Sequence, residues 1–102
     1  MSPGPAAVYE MVRLIPHGFV TSYGALGQAL KNPVSGLVVG NWMSKCPEDI
    51  PWWRVIAKDG RLVVFKKDAS VAMLQRKLLE DEGFAFDEEG RVVTTGRFWE
   101  TR

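Results

Sequence analysis

The chain has 102 residues, 46% of them apolar, and a net charge of +1; this suits a single domain over residues 1–102 with a real core. One cysteine and one histidine exclude an intrachain disulfide, and also a zinc site made of those residue types alone, so neither metal nor cofactor is expected. No apolar run nears the roughly 18 residues of a membrane helix, and no basic-then-apolar leader opens the chain; the expectation is a cytoplasmic monomer with no membrane partner, nucleoid-associated or nuclear according to host.

Residues 1–5 read as a loose start. A helix follows, because Val8, Met11, Val12 and Ile15 fall at i, i+3, i+4 and i+7 and share one face. Pro16 ends it, and His17-Gly18 makes a solvated turn. A second helix is predicted from about 22 to 31, capped by Thr21 or Ser22, since a hydroxyl oxygen accepts from an unpaired first-turn amide. Tyr23, Leu26, Gly27 and Leu30 form its stripe, and Asn32-Pro33 breaks the chain. Ser35 caps a third helix from about 36 to 44, stopped by Cys46-Pro47. Two short helices joined by a tight turn are the skeleton of a helix-turn-helix, although many all-α domains contain such a pair without touching DNA.

The period then changes. Arg54-Val55-Ile56-Ala57 and Arg61-Leu62-Val63-Val64-Phe65 are β-rich and flank Lys58-Asp59-Gly60, where Asp-Gly favours a hairpin turn. This predicts a small wing beside the helices. A fourth helix is predicted from about 70 to 82, with Val71, Leu74 and Leu78 inward and Gly83 as its stop. Phe84-Ala85-Phe86 and Arg91-Val92-Val93 flank a second turn, and Phe98 and Trp99 pack back as core. The predicted fold class is mainly α with short β-hairpins, a winged helix-turn-helix-like DNA-binding domain.

Charge is unevenly spread. Arg54, Lys58, Arg61, Lys66 and Lys67 are opposed only by Asp59, and the acids of 80–89 lie further on. A near-neutral chain can therefore carry a basic face, but charge alone favours ordinary solvated surface.

Three segments stand together: Ile15-Pro16-His17-Gly18 through Tyr23-Gly24, Asn32-Pro33 leading to Gly36-Leu37-Val38-Val39-Gly40, and Ile50-Pro51-Trp52-Trp53-Arg54-Val55-Ile56 before Asp59-Gly60. With Leu78-Leu79-Glu80-Asp81-Glu82-Gly83 they resemble, in order and spacing over about 8–83, the C-terminal domain of the O6-alkylguanine-DNA alkyltransferases. The Pro-Cys-His-Arg of that family is Pro51-Trp52-Trp53-Arg54 here, which resembles the alkyltransferase-like proteins. Those proteins bind O6-alkylguanine in DNA without removing the alkyl group and flag it to nucleotide excision repair. Alkyl transfer needs an activated thiolate. An indole at position 52 cannot supply one, and Trp53 stands where the activating histidine would be. Cys46, the lone thiol, reads as a small structural residue. The implied partners are double-stranded DNA with alkylated guanine and nucleotide excision repair proteins.

The resemblance implies a lesion pocket from Tyr23, Pro51, Trp52, Trp53, Arg54, Val55 and Phe65. An extruded base needs a flat, dry cavity. Trp52 would line the alkyl subsite, while Trp53 is equally well a core residue. Arg54 would hold the pocket loop through ionic hydrogen bonds, and Tyr23 would press near the target phosphate. DNA contacts are assigned to Ser22, Tyr23, Gly36, Leu37, Gly40, Asn41, Lys45, Lys58, Arg61 and Lys66. The third helix would enter the minor groove, where Gly36 and Gly40 would allow a close backbone approach. Counting from Asn32-Pro33 places Leu37 at the family's arginine finger, Cys46 at its asparagine hinge, and Phe65, beside Lys66, where an arginine probes the alkylguanine. Leucine does intercalate in other minor-groove binders. Three alternatives stay open: a winged-helix DNA-binding module without lesion selectivity, an enzyme using Cys46, and a protein-interaction module.

Overall fold

Residues 4–62 and 69–100 of a computed structural model are described; they form four α-helices, a 3-10 turn and a two-stranded parallel sheet. Helix α1 (Gly4–Leu14) begins inside the expected loose start. Its Val8 and Val12, followed by Ile15, are buried in the first of two core clusters, with Met11 packed against them. Gly18 turns the chain with φ of 84°, and β1 (Thr21–Ser22) runs directly into α2 (Tyr23–Gln28).

Ser22 is the α2 cap: its Oγ accepts the Ala25 amide at 3.0 Å, while Thr21 belongs to the strand. Helix α2 stops at Gln28, short of the predicted end near 31, because the chain folds back so that the Val34 amide donates to the Gly27 carbonyl at 3.2 Å. Helix α3 (Gly36–Met43) starts at Ser35, whose Oγ accepts the Val38 amide at 3.3 Å.

The α2–α3 contact depends on absent side chains. A Cβ on Gly27 would collide with the Val34 carbonyl oxygen and lie 3.3 Å from Val39 Cγ2. Gly27→Ala must therefore push the two helices apart. Overpacking of this kind costs about 1–3 kcal/mol, a fall in Tm of several degrees or more that a thermal melt of the variant will read.

The turn of the expected wing is present, and its first arm has a further partner. The Asp59-Gly60 turn forms: Gly60 has φ of 91°, its amide donates to the Ala57 carbonyl at 2.9 Å, and the Ala57 amide donates to Arg61 at 3.0 Å. Residues 52–54, however, make a 3-10 turn (Trp52–Arg54), and β2 (Val55–Ile56) pairs in parallel with β1, Thr21 opposite Val55 and Ser22 opposite Ile56. The β-prone pair thus has a distant partner that its sequence neighbourhood does not announce. The rest of the predicted second arm, 63–65, lies outside the described residues.

Helix α4 (Ala69–Asp81) ends before Gly83, which has φ of 91°. Its inward face is only in part the predicted one, with Val71 half-buried as expected. Leu74 is 49% exposed and Leu78 half-buried, whereas Leu79 and the polar Gln75 are buried. Leu79 joins Val20, Ile56, Phe84 and Val92 in the second core cluster. The second hairpin forms as an antiparallel bridge, Phe86 to Val92. Trp99 returns to the first cluster, its amide donating to Val20 at 2.7 Å, while Phe98, expected in the core, is 39% exposed beside Val20. No helix among the described residues is long and apolar enough to cross a membrane, and none of their His, Cys, Asp and Glu side chains group to hold a metal.

Candidate functional site

Two surfaces carry the residues singled out above. The first is the outer face of α3. Leu37 is 69% exposed, and Asn41, one helical turn on, is also exposed. Lys45 follows the helix end and is exposed, as are Lys58 and Arg61 at the Asp59-Gly60 turn, where Arg61 pairs with Asp59 at 2.8 Å. Gly36 serves α2 rather than a groove: a Cβ there would sit 3.1 Å from the Gly24 nitrogen. Gly40 is buried, so its position also faces the interior. Ser22 is buried and committed to its cap. Tyr23 has its ring in the first core cluster, and burial, then the neighbouring Cys46, push its phenol pKa up. These four help to position the helix pair and present no exposed side chain. Cys46 is half-buried against the same cluster, and His17 is exposed.

The second surface is the turn Pro51–Arg54. Pro51 precedes the 3-10 turn, and the Arg54 amide closes it on the Pro51 carbonyl at 3.1 Å. The two tryptophans point to different cores. Trp52 packs, half-buried, against the first cluster and Trp53 against the second, with ring centroids 6.0 Å apart and planes at 87°. Val55 is fully buried in the first cluster, so its side chain is core rather than pocket wall. Phe65 and Lys66 lie outside the described residues.

What holds this turn is a buried carboxylate absent from the sequence-based list. Glu82, just past α4, accepts from the Trp53 indole Nε1 at 2.6 Å, the Arg54 Nε at 3.0 Å and the Gly18 amide at 2.7 Å. Arg54 also donates Nη2 to Glu82 at 2.9 Å and Nη1 to the Ile15 carbonyl at 2.8 Å. Its guanidinium lies 5.4 Å from the Trp53 ring centre. Burial pushes the Glu82 pKa up, but the bonds from Arg54, Gly18 and Trp53 outweigh it and hold the carboxyl below its ordinary value. From the other side Gln75 Nε2 donates to the Trp53 and Val55 carbonyls at 3.2 and 3.0 Å. The predicted ionic role of Arg54 thus has a defined partner. The readable signal for Glu82 was an acid at a helix end before Gly83, in a chain whose Arg54 needed a counter-charge.

The chemical capacity of this surface is limited. The 3-10 turn offers aromatic rings and no thiol, and the Glu82 carboxylate is saturated by four donor groups.

Comparison with known proteins gives the same picture. The family described as 6-O-methylguanine DNA methyltransferase, DNA binding domain, matches residues 4–84. A "DNA base-flipping protein" of Escherichia coli is 30% identical over 90 residues, covering 86% of this chain and 67% of that protein. The "Alkyltransferase-like protein 1" of Schizosaccharomyces pombe is 37% identical over 79 residues, covering 74% of this chain and 71% of that one. The crystal structure of S. pombe Atl1 with damaged DNA containing O6-carboxymethylguanine superposes with a TM-score of 0.81 at 26% identity, over 98% of this chain and 99% of that one. A "Bifunctional methyltransferase/endonuclease" of Thermoplasma volcanium is 37% identical over 76 residues, 72% of this chain, which spans only 24% of that protein.

Proposed function

The chain belongs to the family of the 6-O-methylguanine DNA methyltransferase DNA-binding domain, and from that premise we propose that it binds duplex DNA, recognises O6-alkylguanine there and leaves the alkyl group in place. The observation that carries this is the turn Pro51–Arg54. Trp52 occupies the family's nucleophile position, and Trp53 is bonded to Glu82 at 2.6 Å. Neither a thiolate nor a free base stands there to take an alkyl group. The similarity to the E. coli base-flipping protein and to Atl1, crystallised with lesion-bearing DNA, supports the lesion reading.

In this reading α3 approaches the minor groove with Leu37 leading, and the extruded base enters beside Trp52. Lys45, Lys58 and Arg61 hold phosphates, which gives affinity that is independent of sequence and steep in salt. The bound lesion is then handed to nucleotide excision repair. The test is a titration of short duplexes with and without O6-methylguanine, followed by intact mass of the protein. Lesion duplex should bind about tenfold or more tightly, with protein mass unchanged. Equal affinities across several O6-alkyl sizes would remove lesion recognition, and an adduct on Cys46 would make the protein an enzyme.

One observation favours a second reading. Leu37, 69% exposed where the family has arginine, lacks the charge and hydrogen bonds to hold an orphaned base. A module that binds DNA without lesion selectivity would give equal, salt-steep binding in the same titration.

A further inference from the structure

Residues 85–100 lie beyond the family match at 4–84, and one of their side chains reaches into the base of the site. Arg97 donates Nε to the Gly18 carbonyl at 2.8 Å, Nη1 to the Gly83 carbonyl at 2.9 Å and Nη2 to the Glu82 carbonyl at 2.6 Å. Its guanidinium lies over the Phe84 ring, 3.8 Å from the centroid. Its own carbonyl accepts the Val20 amide at 3.0 Å, which lays the tail along the residue preceding β1.

These bonds converge on one group. The Gly18 peptide is gripped at both ends, its amide by the Glu82 carboxylate and its carbonyl by Arg97. The Glu82 residue is likewise held twice, its backbone by Arg97 and its side chain by Trp53, Arg54 and Gly18. The carbonyls of Glu82 and Gly83 lie just past the end of α4, where no helical amide reaches them. Gly18 and Gly83 both have positive φ, 84° and 91°, so neither turn is fixed by a side chain of its own. The planar fork of Arg97 supplies donors from three separate nitrogens to three carbonyls at once, a spread that the single nitrogen of an ammonium does not match.

The geometry points to Arg97 as a positioning residue: a clasp that fixes Glu82, and through it the Trp53–Arg54 turn and the placement of Trp52. This rests on Trp52 being the surface that meets the damaged base. Arg97 acts on the backbone from which the Glu82 carboxylate projects. Loosening it lets the carboxylate drift, and the Trp53 indole bond is the first to lengthen.

Two readouts on the full chain test this. The Trp53 indole proton, identified by its loss in Trp53→Phe, should exchange with deuterium about tenfold faster in Arg97→Ala. The amides of Val12 and Val39, buried in the other core cluster, should exchange within about twofold of wild type. Affinity for an O6-methylguanine duplex should fall about tenfold while that for the undamaged duplex changes less than twofold. Arg97→Lys, which keeps the charge but not the fork, should fall between, and it carries the same comparison if the alanine variant does not fold. Equal acceleration at Trp53 and in the first core would reduce Arg97 to general stability, and no acceleration would remove the clasp. If wild type binds both duplexes alike, the lesion reading fails, while the exchange comparison still decides whether Arg97 governs the turn.

Discussion

Glu82→Ala is expected to destabilise the protein by about 3–5 kcal/mol, the range for removing one partner of a buried ion pair. The side chains of Arg54 and Glu82 are 14% and 5% exposed, so the guanidinium left behind has little water to turn to. The Gly18 amide and the Trp53 indole lose their acceptor in the same step, and each abandoned donor adds its own desolvation cost. Against a total of 5–15 kcal/mol, roughly, for a domain of ordinary stability, such a loss leaves a marginal fold. Urea melts at neutral pH will read it as a lower midpoint. Glu82→Gln, which keeps an oxygen of similar shape but no charge, should lose less.

The pH dependence has a definite sign. The Glu82 carboxyl is held below its ordinary value in the folded chain; unfolded, it titrates near ~4.3. Its contribution is therefore complete above the unfolded value and fades as pH falls through the folded one. Wild type should lose stability steeply on acidification below about pH 4. Glu82→Gln, already weakened at pH 7, should show a shallower slope there. Parallel slopes for the two proteins would mean that other carboxylates carry the acid transition.

How far the sequence reveals this arrangement depends on the range of the interaction. The buried stripe of α1, the Ser22 and Ser35 caps, the span of α3 and the Gly60 and Gly83 turns are local, set by residues within a turn of one another, and they stand where predicted. The partner of Val55-Ile56 is not local. Nothing local to the β-prone pair points to Thr21-Ser22, which lies more than 30 residues away and runs parallel to it. Gln75 misled for a different reason. A polar residue is placed outward by periodicity, but its amide finds two carbonyls of the Trp53–Val55 backbone, so burial is compensated. The α4 face turned accordingly. Glu82 lay in an acidic stretch that read as solvated surface, and its partners sit 28 or more residues away in sequence. The site's motifs were legible; the bonds that hold them were not, because they join parts of the chain that sequence periodicity treats separately.

Trp52→Ala should separate recognition from DNA binding. If the damaged base meets the Trp52 ring, truncation removes an aromatic contact of about 1–3 kcal/mol per base, a loss of roughly five- to a hundredfold in affinity for the lesion duplex. On the proposed reading undamaged duplex is held by Lys45, Lys58, Arg61 and the α3 face, which the substitution leaves unchanged, so its affinity should stay within about twofold with an unchanged salt slope. The ring also packs against the first core cluster, so truncation costs some stability; Trp52→Phe retains a stacking face and a core contact and should recover most of the lesion affinity. The Trp53–Glu82 bond lies on the other side of the turn, against the second cluster, and should keep the backbone in place in both variants. Competition binding at two salt concentrations distinguishes the outcomes. Equal loss on both duplexes would assign Trp52 to the fold alone, and no loss on either would place the damaged base elsewhere on this face.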